Sequence, residues 1–307
     1  MPTAIPYRVS GHESFTCRYT WLPKVVHHLK RDDRLFSNEE RAMVKLGVGK
    51  NMVRSIRFWA QSTGILATQA RDGRYHLTRF ATLLLGDRGL DRYLEDTRTL
   101  WLVHWKLATN IDAPLLAWDY LLNRWQEPEI AASTVIKVLH RETFKQGDKL
   151  SITTLVQHFD TFLHTYVPTR GRKGIIQEDN LDCPLVELEF ILKVGEREID
   201  ASTNKREAIY AFRREEKPDI TPELFIYALN SFWQSRHPSE ATLSLREVAH
   251  GHGGPGQVFK LPEEDVRTRL EGLNHSQSPF SYSESISLQR VRRRQDCDEI
   301  KLLKAVY

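Results

Sequence analysis

Several stretches of this 307-residue chain gather side chains able to do chemistry. Gly11-His12-Glu13-Ser14-Phe15 sets an acid, a potential base and a hydroxyl side by side, a combination suited to proton transfer. Adjacent residues do not share a helix or strand face, so His12 and Glu13 could converge only from a loop; hydrogen bonding within the fold is the competing account. Glu178, Asp179 and Asp182 place three carboxylates within five residues, just before Pro184 and after the basic Arg170, Arg172 and Lys173. Clustered oxygen ligands are what Mg²⁺ or Mn²⁺ needs to orient water and a phosphate, and the same residues also fit capping and first-turn charge at a helix start. His12, Glu13, Glu178, Asp179 and Asp182 are therefore the catalytic candidates, the last three as metal ligands. His250 and His252 lie in a glycine-rich stretch without an evident third ligand, which reads as a turn.

Cationic side chains form a second class. From Ser37 to Gly64, Arg41, Lys45, Lys50, Arg54 and Arg57 face only Glu39 and Glu40, so +3 of the chain's formal +4 sits in one short stretch. Lys50, Asn51, Arg54, Ser55 and Arg57 occupy one side of a segment whose other side is apolar. Lys and Arg neutralise phosphates or read guanine edges, Asn pairs with adenine, and a helix N-terminus adds backbone donors. Arg290, Arg292, Arg293 and Arg294 form a guanidinium strip that would track a phosphate backbone, or shield a sheet edge from aggregation. The expected DNA contacts are Lys45, Lys50, Asn51, Arg54 and Arg57, then Arg170, Arg172 and Lys173, then Arg290, Arg292 and Arg293. Solvated charge, or a surface for a protein partner, is the competing account of each group. Gly47-Val48-Gly49-Lys50 is not a phosphate loop: the earlier glycine is missing, and Asn51 stands where Ser or Thr is required.

The elements that must hold these residues follow from periodicity. Leu22, Val25, Val26 and Leu29 predict a helix from about Trp21 to Lys30. Ser37 with Glu40 has the capping-box spacing, opening a helix to about Leu46. The Gly47–Gly49 turn then leads into a helix from Lys50 or Asn51 to about Ser62, burying Met52, Val53, Ile56 and Trp59, with Gly64 at its end. A short hairpin is expected across 65–77, turning at Asp72-Gly73. Helix, glycine turn, helix and hairpin is the layout of a winged helix-turn-helix. Residues 87–170 read as almost wholly helical. Leu192–Ile199 reads as strand, Pro222–Gln234, Ser244–His250 and Pro262–Leu273 as helices, and Phe280–Val291 as a strand, a possible second helix-and-wing unit. The expected fold is mainly α with small β-wings. It divides into a leading segment (1–36), a winged helix-turn-helix (37–86), a helical connector (87–180) and a C-terminal winged-helix-like α+β unit (181–307).

Composition narrows the classes. Apolar residues at 40% and charged residues at 27% describe a folded chain rather than a disordered one. The net +4 alone does not diagnose nucleic-acid binding; its placement does. Cys17, Cys183 and Cys297 show neither zinc spacing nor a disulfide framework. The first thirty residues lack a continuous apolar stretch, and no uncharged apolar run of membrane-spanning length occurs, so a cytoplasmic location is expected. The residue spacings of restriction-type nucleases, of a His-Asn-His site and of paired HxK motifs are not evident.

Five motifs together resemble one bacterial family, that of domain of unknown function 4007, which includes SspB-like proteins of DNA phosphorothioation defence systems. They are GHESF at 11–15 with Arg18, Trp21 and Lys24; LGVGKNMVRSIRFW at 46–59; YLEDTRTLWLVHW at 93–105; EDNLDCPLVEL at 178–188; and GGPGQVFKL at 253–261. The resemblance implies a role in sulfur modification of the DNA backbone beside a cysteine desulfurase, a PAPS-reductase-like enzyme and an ATPase. It also implies nicking of one strand of double-stranded DNA so that sulfur can be incorporated. It supplies no catalytic residues. The alternatives are a non-catalytic DNA-binding scaffold and a winged-helix transcriptional regulator, the latter disfavoured by the large connector.

Overall fold

The structure, a computed structural model, describes residues 7–67, 73–145, 150–168, 183–200, 205–274, 278–285, 288–295 and 297–307. Helix α1 (Trp21–Leu29) buries Trp21, Leu22, Val25, Val26 and Leu29, as its three-and-four spacing requires. Helix α2 (Glu39–Leu46) starts one residue later than the capping-box spacing predicts. Asn38, not Ser37, is the N-cap, its side chain accepting the Arg41 amide. Ser37 instead ends a 3₁₀ turn (Leu35–Ser37) and donates its hydroxyl to the Gly73 carbonyl, tying this corner to the far side of the expected hairpin. Gly47 ends α2 with φ of +67°, a left-handed conformation that glycine adopts without penalty, and α3 (Lys50–Ser62) follows at once. Helix α1 packs against α3 and against α4 (Arg79–Leu85), which is capped by Thr78.

Of the hairpin expected across 65–77, one antiparallel bridge, Leu66 to Leu77, stands among the described residues; Asp72 lies outside them. The stretch read as almost wholly helical holds α5 (Thr97–Ala108), α6 (Leu116–Asn123), α7 (Ala132–Lys145) and α8 (Ile152–Tyr166), and also a two-residue strand β1 (Ile130–Ala131). That strand joins β3 (Lys205–Phe212), which pairs with β2 (Ile191–Asp200) in an antiparallel sheet of order β1-β3-β2. Only β2 of these three is expected from the sequence. Two residues carry no periodicity, and β3 shows mostly half-buried positions rather than clean alternation.

The C-terminal elements are α9 (Pro222–Arg236), β4 (Thr242–Ser244), α10 (Leu245–His250), α11 (Pro255–Phe259), α12 (Glu263–Glu271), β5 (Phe280–Ser285), β6 (Leu288–Arg293) and α13 (Glu299–Ala305). The single strand read over 280–291 is thus two strands of a hairpin. With β4 they form an antiparallel sheet of order β4-β6-β5. The chain is therefore mixed α/β, with two small three-stranded sheets among the described residues. One continuous apolar cluster runs from Cys17 to Val306 and centres on α5, where Trp101 and Trp105 are buried against Phe259. No helix among the described residues is long and apolar enough to cross a membrane.

Candidate nucleic-acid interface

The left-handed Gly47 reverses the chain in three residues, so α2 and α3 pack together and present their cations on neighbouring surfaces. The inner face of α3 buries Val53, Ile56, Phe58, Trp59 and Ala60, and Ser55 as well. Ser55, expected on the polar side, is fully buried, since it stands one position before Ile56 and packs with the inner face. Met52 is only partly buried. Lys50, Asn51, Arg54 and Arg57 remain outward. Glu39 of α2 is shared by two of them: Arg54 donates to both its oxygens at 2.7 and 3.3 Å, and Lys50 lies 3.2 Å away. Asp32 is likewise shared by Lys45 at 2.6 Å and Arg41 at 3.0 Å. Two cations per carboxylate leave each cluster net positive. Both carboxyls are held below their usual range, first by these lysine and arginine hydrogen bonds. Asn51 and Arg57 have no side-chain hydrogen bond or ion pair among the described residues, so they are available to a ligand.

The loop 11–15 lies against this helix. Gly11, Glu13 and Ser14 all have positive φ, and the Trp59 indole donates to the Phe15 carbonyl at 2.9 Å, anchoring the loop on the back of α3. The turn sends His12 and Glu13 in opposite directions. His12 is 4% exposed, edge-on to Phe58 and stacked on His158. The Ala117 amide donates to His158 Nε2 at 3.1 Å, which puts that ring's proton on Nδ1, 3.3 Å from His12 Nε2. Burial pushes His12 down to about 4 and His158 to about 3, so both rings are neutral at pH 7. Glu13 is exposed and adds to the negative field that Glu39 exerts on Arg54. The two adjacent candidates do not form one proton-transfer site.

In the second sheet, Arg290 and Arg292 project from the solvent face of β6, on either side of buried Val291. Arg290 stands between Ser244 and Ser283, and Arg292 between Thr242 and Ser281, giving a face of guanidiniums flanked by hydroxyls. Arg293 points the other way, its guanidinium 5.0 Å from the centre of the Trp233 ring, which makes it part of the packing rather than of that face. Glu178, Asp179, Asp182, Arg170, Arg172 and Lys173 lie outside the described residues. Among the described residues, no three His, Cys, Asp or Glu side chains converge as metal ligands.

Two features have no visible sequence signal. Arg8, from a segment without periodicity, lies over the Phe58 ring at 4.1 Å beside Arg57. His252 Nε2 lies 2.9 Å from Asp119 Oδ1, whose other oxygen takes a hydrogen bond from Tyr7 and an ion pair from Arg124 at 2.9 Å. Tyr7 and His252 each lie more than a hundred positions from Asp119, so no local pattern announces their meeting.

The sequence profile described as "Protein of unknown function (DUF4007)" matches residues 9–307. The chain belongs to the DUF4007 family. Two solved structures share its fold: an SspB crystal structure with TM-score 0.82 at 23% identity, covering 100% of this chain and 89% of that one, and a magnesium ion-bound SspB crystal structure with TM-score 0.81 at 23% identity, covering 98% and 89%. No functionally curated protein matches the chain. This DUF4007 chain therefore has the SspB fold along nearly its whole length, with the α2–α3 surface and the β6 face as two cationic surfaces on it.

Proposed function

We propose that this DUF4007 protein is a DNA-binding component of a DNA phosphorothioation system that opens one strand of duplex DNA for sulfur incorporation. It would act with a cysteine desulfurase, a PAPS-reductase-like enzyme and an ATPase. The observation that carries the reading is the outward face of α3, where Lys50, Asn51, Arg54 and Arg57 stand on a helix fixed by its buried side, in a chain whose fold is that of SspB. Helix, glycine turn, helix and a bridged pair of extended segments reads as a winged helix-turn-helix with α3 as recognition helix. The shared carboxylates support this: surface pairs of this kind are worth little, so a phosphate can take over Lys50 or Arg54 from Glu39 at small cost. In this reading Glu178, Asp179 and Asp182 hold Mg²⁺ or Mn²⁺, whose part when bound is to orient water and a phosphate.

The burial of His12 favours a second reading, a non-catalytic scaffold that brings the sulfur-transfer enzymes to DNA, because it removes one candidate base from reach of a phosphodiester. Conversion of supercoiled plasmid to open circles by pure protein with Mg²⁺, Mn²⁺ or EDTA, beside a binding titration, separates the two. Metal-dependent open circles that disappear with Asp179→Asn and Asp182→Asn, binding being retained, support the nickase. Tight binding without open circles supports the scaffold. Replacing Lys50, Arg54 and Arg57 with Ala should weaken binding and make its salt dependence shallower by about 0.9 for each phosphate no longer neutralised; an unchanged slope removes α3 from the interface.

A further inference from the structure

A cavity of about 420 Å³ opens where the end of α3 meets the ends of α5 and α9, with Arg8, Gln61, Ser62, Lys106 and Asn110 in its lining. Arg8 is held between the Phe58 ring and Gly11, where a Cβ would come within 3.1 Å of the ring and 3.3 Å of the guanidinium. Its polar partner is neutral: Nη1 lies 3.4 Å from Gln61 Oε1. It has no ion pair among the described residues, and burial, with the like-charged Arg57 adding to it, brings its pKa down to about 10. A partly desolvated guanidinium without an acid is a cost that a bound oxyanion would offset.

The second observation is independent. Ser62 is 2% exposed, and its hydroxyl has no hydrogen-bond partner among the described residues. Asn110 fixes the wall beside it, donating to the Ser62 carbonyl at 3.4 Å while its own oxygen takes the Asp112 and Ala113 amides at 3.1 and 3.0 Å. Lys106 adds a second cation, balanced by Glu299 at 2.8 Å outside the cavity lining. We infer that this cavity binds a small phosphorylated ligand, up to nucleotide size, whose phosphoryl oxygens accept from the Arg8 guanidinium and the Ser62 hydroxyl. The exposed Asp112 on the same lining disfavours a continuous DNA backbone, which would run its charge past that carboxylate, and tolerates a free ligand with one anionic end.

Isothermal titration and ³¹P line-broadening with inorganic phosphate, 5′-AMP and a short duplex test this on the full-length protein. Phosphate and 5′-AMP should bind the wild type. Arg8→Met should weaken both roughly tenfold or more, and Ser62→Ala roughly threefold, as expected for loss of a charge-assisted and a neutral hydrogen bond. The protein with Lys50→Ala and Arg54→Ala, which keeps Arg57 beside Arg8, should bind both ligands as the wild type does. Absence of binding at millimolar ligand, or binding unchanged by both substitutions, overturns the site. So does loss of phosphate binding in the Lys50→Ala, Arg54→Ala variant, which would place the ligand on the outward face of α3. If Arg8→Met does not fold, Arg8→Lys with Ser62→Ala carries the same comparison. DNA binding can fail in these experiments without touching the result for the small ligands, and the reverse also holds.

Discussion

His12, His104 and His158 are enclosed with no carboxylate acting on any of them. His104 makes hydrogen-bond contacts with the Tyr166 hydroxyl at 2.9 Å and the Val258 carbonyl at 3.1 Å, and burial pushes its pKa down to about 3. His158 is at about 3 and His12 at about 4 for the same cause. In the unfolded chain each ring takes a proton near pH 6.5. Between pH 6.5 and about 4 the unfolded state therefore binds more protons, and stability falls as pH falls. At pH 5 each ring costs roughly 2 kcal/mol, together roughly 6, which is comparable to the whole stability of a typical domain. Asp32, Glu39 and Asp96 are held low by basic partners, so their contribution is lost only at more acid pH, leaving the window from 6.5 to 5 to the histidines. The thermal midpoint should drop steeply from pH 7 to pH 5. His104→Phe, lower at pH 7, should show a shallower slope; parallel curves for the two proteins would refute this assignment.

At the scale of elements, the turn between α2 and α3 sets the candidate interface, and its energetics are separable from packing. A Cβ at Gly47 would meet nothing within 4 Å, so Gly47→Ala should cost only the left-handed backbone, about 1 kcal/mol, seen as a lowered denaturation midpoint with an unchanged slope. A loss several times larger would mean that the α2–α3 geometry itself is disturbed. This turn is readable from sequence because glycine spacing and helix periodicity are local signals: α1, α3, α9, α10 and α12 fall close to their expected ranges for that reason. What is not readable is set by distant partners. The capping-box spacing points to Ser37 as the cap, but the Gly73 carbonyl claims its hydroxyl and Asn38 caps instead. Ser55 and Ser62 look polar in sequence, yet packing against other parts of the chain buries them. His12 and Glu13 are adjacent candidates whose separation follows from positive φ at Glu13 and Ser14, which neither residue type announces.

Across the whole molecule, two regions offer similar element orders with opposite charge on their helices. In the first, α3 opens on Lys50, Asn51 and Arg54; in the second, α12 opens on Glu263, Glu264 and Asp265, which would repel phosphate. The cations of the second region stand instead on the sheet, at Arg290 and Arg292. The motif at 253–261 fixes this region to the centre of the molecule: the Gly253 amide donates to Asn123 Oδ1 at 3.1 Å, and Gln257 and Lys260 donate to the carbonyls ending α6. On the proposed reading, a duplex contacting both cationic surfaces would use Arg290 and Arg292 as well as α3. Arg290→Ala with Arg292→Ala should then make the salt dependence of DNA binding shallower by up to about 1.8, in addition to the change from the α3 substitutions. An unchanged slope would confine the interface to α3 and leave the β6 arginines as charges that keep the exposed face of the sheet from associating.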